Sequence, residues 1–209
     1  MPPSAPLSAA FISKWVDAPS RIEVWRDGRA VPFKRGLALA VDMIRRCSGS
    51  GGQVIFVGNG GSAAVAGHMA LDFWNAGRIR TLGFNDPVQL TCMANDRGYR
   101  EVFAEPIRRT ARPGDAIVAV SSSGRSENIL RAAEAALAQK CAVLTLTGFS
   151  SDNPLRSMGG LSFYVPSVSY GLVELTHLGI LTAILEEFID LPKNPSDSAP
   201  RPHFWRKTI

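Results

Sequence analysis

The chain has 209 residues, of which 45% are hydrophobic, with a formal net charge of +5 and three cysteines. That length suits one substantial α/β core and excludes two full-sized domains with linkers. No apolar run reaches the roughly 18 residues needed to suggest a membrane span, and Met1-Pro-Pro-Ser-Ala-Pro-Leu7 lacks the basic-then-apolar order of a secretory signal. The expectation is a cytoplasmic protein whose widely spaced Cys47, Cys92 and Cys141 are inert thiols.

In chain order, residues 1–10 are rich in Pro, Ala and Ser and read as loose. Phe11, Ile12, Trp15 and Val16 make one short helical face within Phe11–Trp25, and Arg26-Asp-Gly-Arg29 is a turn. Leu37, Leu39, Ala40, Met43 and Ile44 recur at helical spacing until Ser48-Gly-Ser-Gly-Gly52 stops the helix. Gln53–Val57 reads as a buried strand, Ser62–Asn75 as a helix, Ile79–Phe84 as a strand and Asp86–Asn95 as a short helix. Tyr99–Thr110 continues as helix and Arg112-Pro-Gly-Asp115 turns into the strand Ala116–Val120. The helix Glu127–Gln139, the strand Cys141–Thr147, a loop over 148–160, the strand Leu161–Val165 and a long apolar helix Leu172–Ile189 complete the core.

Strands that alternate with helices imply right-handed crossovers and a three-layer α-β-α sandwich around a mainly parallel sheet. One domain over 33–190 results, with an N-terminal extension and helix at 1–32 and a tail at 191–209. The closing helix is apolar around most of its circumference, which points to burial against a second subunit. Arg201-Pro-His-Phe-Trp-Arg-Lys207 mixes basic and aromatic groups, but it follows a Pro/Ser/Asn stretch and reads as an extended arm or subunit contact more than as a nucleic-acid surface.

Two strand-to-helix corners carry the chemistry. Gly58-Asn-Gly-Gly-Ser62 lacks the spacing of a dinucleotide fingerprint and the lysine of a nucleotide P-loop. Its glycines, Gly60 among them, let backbone approach an oxyanion, and Ser62 can donate from the helix start; alternatively the serine only caps the helix. Ser121-Ser-Ser-Gly-Arg-Ser126 offers the hydroxyls of Ser121, Ser122, Ser123 and Ser126 with one guanidinium. Several neutral donors around a dianion avoid the cost of desolvating fixed charges. Together the corners favour a phosphate site. His68 and Asp72 are four apart on one helix, and Glu174 and His177 three apart on another, so each pair shares a helical face. Such pairs suit Zn²⁺ binding, proton relay, or structural pairing alone.

Read together, Gly58-Asn-Gly-Gly-Ser-Ala-Ala64, His68, Leu90-Thr-Cys-Met-Ala-Asn-Asp96, Ser121-Ser-Ser-Gly-Arg-Ser-Glu-Asn-Ile129, Leu146-Thr-Gly148 and Val173-Glu-Leu-Thr-His-Leu178 follow one another in an order that resembles the sugar-isomerase (SIS) domain family. Within it the resemblance is to the phosphoheptose isomerases. It covers about residues 35–190 and implies a flavodoxin-like fold, a homotetramer with sites shared between subunits, and conversion of sedoheptulose 7-phosphate to an aldoheptose 7-phosphate. By resemblance, Ser62, Ser121, Ser123 and Ser126 stand at phosphate-binding positions, Asn59 and Asp96 at further pocket positions, and His68 and Glu174 at zinc-ligand positions. Two departures accompany it. The family's catalytic, metal-adjacent glutamate is Asp72, one methylene shorter, and its second C-terminal histidine is Thr182, whose hydroxyl does not titrate near neutral pH. The expected enzyme is therefore an aldose–ketose isomerase with Asp72 as base and with His177 or a metal-bound water in the missing role. The competing expectation is a catalytically silent SIS protein that binds a phosphosugar or a protein partner, since family members associated with a replication initiator lack the same histidine.

Overall fold

The centre of the molecule follows from strands too apolar to alternate. In the computed structural model, which describes residues 7–190, every residue of β3 (Val54–Gly58) and β5 (Ala116–Ser121) is buried, as a sheet covered on both faces requires. The remaining strands are β1 (Glu23–Arg26), β2 (Arg29–Val31), β4 (Thr81–Gly83), β6 (Ala142–Thr147) and β7 (Leu161–Tyr164). They form one seven-stranded sheet in the order β2-β1-β7-β6-β5-β3-β4. The run from β7 to β4 is parallel, and β1 joins β7 antiparallel.

Helices close both faces. They are α1 (Leu7–Asp17), α2 (Phe33–Gly49), α3 (Gly60–Asn75), α4 (Pro87–Arg97), α5 (Ala104–Thr110), α6 (Glu127–Ala138), α7 (Pro154–Met158) and α8 (Tyr170–Asp190). Val54, Phe56, Val118 and Leu144 point into one core with α2, α3 and α8, while Ile55, Val57, Ile117 and Val143 point into the other with α5 and α6. Each such side chain removed from water contributes about 1.5 to 3 kcal/mol, so the sandwich rests on these two layers. On α8, Val173, His177, Ile180, Leu181, Ile184 and Phe188 face the core at the helical repeat. The three-layer, mainly parallel arrangement expected from the pattern is the one found.

Several elements differ from the expectation. The helix expected through Trp25 stops at Asp17, gives way to a 3₁₀ turn over Ala18–Arg21, and the chain then enters a hairpin. Asp27 and Gly28 both take positive φ, +48° and +77°, the pair of left-handed residues that a two-residue hairpin turn uses. The hairpin buries Val24, which packs where a side chain at position 36 would sit, so Gly36 is needed beneath it. Residues 7–10 are helical, not loose, and β1 and β2 belong to the same sheet as the rest. The helix expected over Tyr99–Thr110 is a 3₁₀ turn at Tyr99–Glu101 followed by α5, and the loop over 148–160 contains α7. Residues 1–6 and the basic aromatic arm lie outside the described residues. Among the described residues no helix is long and apolar enough to cross a membrane.

Cys47 and Cys141 are buried, and burial, helped by nearby Asp115, pushes both thiols up to about 11; Cys92 is exposed. Thiols of that kind stay protonated and unreactive near neutrality. Iodoacetamide at mildly alkaline pH should therefore label Cys92 in the native protein and spare the other two until denaturant is added, as read by peptide mass spectrometry.

Candidate functional site

From β3 the chain crosses through α3 to β4 on one side, and β5 lies on the other. The order reverses there, and crevices open at such points beyond the carboxyl ends of the strands. Gly58 pairs in register with Val120, so the two corners that follow these strands share one crevice. Its volume is about 410 Å³. Asn59, Gly60, Gly61 and Ser62 form one wall, Ser121, Ser122, Ser123 and Ser126 a second, and Tyr170 and Glu174 of α8 a third. Seven of the eight residues assigned from sequence to phosphate or substrate contact thus come together, Asp96 being the exception, and Glu174 joins them.

Local structure leaves donors free at this crevice. Gly60 has φ +53°, a left-handed conformation that glycine adopts without steric cost, and a β-carbon at Gly61 would collide with the Glu174 carboxylate. Asn59 and Ser126 occupy the N-cap positions of α3 and α6, yet neither side chain caps its helix. By contrast, Asp86 caps α4 and Asn153 caps α7. Two helix starts with open first-turn N–H groups therefore border the crevice, the arrangement that favours an anion. Ser121 Oγ accepts from Gly124 N and Ser123 Oγ from Arg125 N, both at 3.2 Å, which leaves each hydroxyl proton to donate. Ser122 Oγ is buried and without a hydrogen-bond partner among the described residues, a costly state for a hydroxyl unless a ligand or water meets it.

Among the described residues no lysine or arginine lines the crevice. Arg125, which the serine motif offered as a cation, instead pairs with Asp152 at 2.8 Å on the exposed surface. The Asn59 side chain is held from behind by buried Asn128, with Nδ2 to Oδ1 contacts of 2.8 and 2.9 Å in the two directions, and by Tyr99 Oη at 3.2 Å.

The remaining candidates are dispersed. His68 Nε2 and Asp72 Oδ2 lie 3.2 Å apart on successive turns of α3, about 9 and 15 Å along the helix axis from Ser62 at 1.5 Å per residue. They do not line the crevice. Among the described residues no three His, Cys, Asp or Glu side chains gather as a metal ion would require, so Glu174 does not complete a zinc set with that pair inside one chain. Asp96 is exposed on α4, where its carboxylate accepts from Asn95 Nδ2 and Cys92 Sγ.

His177 departs from the role of acid or base. It is fully buried, its Nε2 donates to the Thr147 carbonyl at 3.0 Å, and burial pulls its pKa down to about 4. A ring tied into the core away from the crevice lining cannot exchange a proton with a bound sugar. Thr182 donates to the Leu178 carbonyl of its own helix at 2.9 Å and supplies no titrating group. Sequence reasoning missed Tyr170, Gly61 and Asn128. The glycine run was a signal for Gly61; nothing local marked Tyr170, because only the packing of α8 brings it to the crevice. A separate cavity of about 450 Å³, bordered by Lys14, Arg21, Phe149 and Tyr164, holds none of the candidate residues. The Phe149 ring stands between the two, edge to face with Tyr170 at a centroid distance of 4.7 Å.

A family model described as the SIS domain matches residues 33–148, more than half of the chain. A phosphoheptose isomerase of Shewanella sp. (strain ANA-3) is 31% identical over 176 residues, which cover 80% of this chain and 89% of that protein. The chain belongs to the SIS-domain family. Within it, similarity runs to the phosphoheptose isomerases. The solved phosphoheptose isomerase of Francisella tularensis superposes on this SIS domain with a TM-score of 0.76 at 25% identity, covering 88% of this chain and 96% of the other. That of Neisseria gonorrhoeae gives 0.77 at 24%, covering 88% and 98%. The SIS crevice at the switch point lies within the matched region up to Ser126, and α8 adds Tyr170 and Glu174 beyond it.

Burial of His177 has a measurable cost. Its folded pKa, about 4, lies below the ordinary 6.5, so the unfolded chain binds the proton more readily. The stabilisation is present above about pH 6.5 and is lost as pH falls toward 4, amounting to on the order of 3 kcal/mol over that window. Denaturant unfolding followed from neutral pH to about pH 4 should show this loss, and His177→Gln, which retains a donor for Thr147, should flatten the slope by about one proton.

Proposed function

We propose that this chain is a phosphosugar isomerase that grips the phosphate of a ketose phosphate in the serine-lined crevice and converts it to the aldose phosphate. The observation that carries the reading is the meeting of two uncapped helix starts, α3 and α6, with five serines and, among the described residues, no cation. Neutral, fixed donors of this kind hold a phosphate dianion without paired charges that would have to be desolvated. A heptose 7-phosphate is the favoured substrate, in line with the names of the relatives.

Aldose–ketose exchange moves a proton between adjacent carbons and another between their oxygens, with no net oxidation. Among the described residues Glu174 is the only carboxylate that lines the crevice, and no basic side chain lines it to neutralise that carboxylate. We assign it the base that removes the proton beside the carbonyl, with the Tyr170 hydroxyl beside it to hydrogen-bond the sugar oxygens. His68 and Asp72 form an imidazole–carboxylate couple too far along α3 to serve the phosphate end. Leu71 and Trp74 beside them and Leu175 on α8 are exposed apolar side chains, which supports self-association. In the shared-site homotetramer implied by the resemblance, that couple serves the sugar end of a neighbouring chain's crevice. Zn²⁺, when bound there, would polarise the carbonyl; the three expected donors do not assemble within a single chain, and no step here depends on it.

Thr182 favours a second reading, a silent SIS protein that binds a phosphosugar without turning it over, since its hydroxyl is committed to its own helix. Two measurements on the full-length protein separate the readings: calorimetric titration with sedoheptulose 7-phosphate, and NMR analysis of products with and without added Zn²⁺. The isomerase should bind and convert the sugar, and Glu174→Gln should lower turnover about 10²- to 10⁴-fold while it retains binding. Binding without conversion supports the silent reading; absence of binding refutes both. The double change Ser121→Ala and Ser123→Ala should weaken binding by about 1 to 3 kcal/mol per lost donor.

A further inference from the structure

The two anion-binding corners are joined by strand pairing only as far as Gly58 and Val120. Beyond that point each runs as an irregular turn, and a separate contact sets the distance between them. Asn128 stands in the first turn of α6, buried to 3% exposure, and meets Asn59 of the other corner in a reciprocal amide pair. Such a pair uses one N–H and one carbonyl from each side chain, so it fixes both orientation and distance. Asn59 Oδ1 also accepts from Tyr99 Oη, which ties the segment after α4 to the same point. With Oδ1 doubly occupied and one amide hydrogen given to Asn128, Asn59 has one hydrogen left for a ligand.

Resting on the phosphate-site reading above, we propose that Asn128 is a positioning residue that clasps the two corners through Asn59 at the spacing a single phosphate needs. It does not line the crevice, so its influence on a ligand passes through Asn59. The start of α3 stays uncapped for the same reason: the Asn59 side chain, which would ordinarily turn back onto the α3 amides, is held by Asn128.

The test uses the full-length protein and inorganic phosphate as the probe, by calorimetric titration, with the thermal midpoint recorded for each variant. Asn128→Ala should weaken phosphate about tenfold, and in an Asn59→Ala background the same change should have no further effect. Asn128→Asp supplies the decisive readout. A protonated carboxyl offers one O–H and one carbonyl in the arrangement of the amide, whereas the carboxylate cannot donate to Asn59 Oδ1. The affinity deficit of this variant relative to wild type, compared at each pH, should be large near pH 8 and shrink toward pH 5. A deficit constant with pH, or effects of Asn59→Ala and Asn128→Ala that multiply, would overturn the clasp while leaving the phosphate site intact. A wild-type protein that binds neither phosphate nor sugar phosphate overturns the site reading and the clasp with it.

Discussion

Hydrogen bonds between β3 and β5, from Val54 opposite Ala116 to Gly58 opposite Val120, bring together the two glycine and serine corners on which the crevice is built. Two parallel strands side by side must send their chains onward from the same rim, and here the next segments diverge, one toward α3 and β4 and the other into α6. The crevice is the space that this divergence leaves. Both strands are buried on both faces, which gives the open helix starts a close-packed base from which to face the crevice.

Charge is managed by omission. The one guanidinium in the serine turn is drawn off to Asp152 at the surface, and the carboxylate in the crevice, Glu174, has no cation beside it in the lining among the described residues. A basic residue among these walls would hold a phosphate more strongly, but it would also pair with Glu174 and lower its capacity to take a proton. Hydroxyls and backbone amides offer an anion its donors without placing a positive charge beside the carboxylate. His177 shows the complementary device: an imidazole kept neutral by burial and used as a hydrogen-bond donor that ties α8 to the end of β6 through Thr147.

The parallel core was legible because its strands are apolar runs bounded by glycine and serine, and the serine corners were legible because their chemistry is local in sequence. The hairpin was not, since Val24 and Trp25 fit a helical repeat as well as a strand, and the deciding facts are the left-handed Asp27-Gly28 turn and the packing of Val24 on Gly36. Helical spacing put Glu174 and His177 on one face, yet three residues on a helix still differ by about 60° in direction. That angle is enough to send one to the crevice and the other into the core. Likewise the spacing of His68 and Asp72 predicted their contact correctly and could say nothing about their distance from Glu174. Asn128 was visible only as a polar residue after the serine turn; its partner lies on another strand's corner, and no local pattern encodes that.

The approach of Glu174 to Gly61 binds two distant positions of the chain into one choice. A side chain at 61 would occupy the volume now filled by the carboxylate, so any residue larger than glycine there obliges the flexible end of Glu174 to swing to another rotamer. Position 61 thus sets where the acid group of α8 rests, and a change there re-aims the carboxylate without removing it.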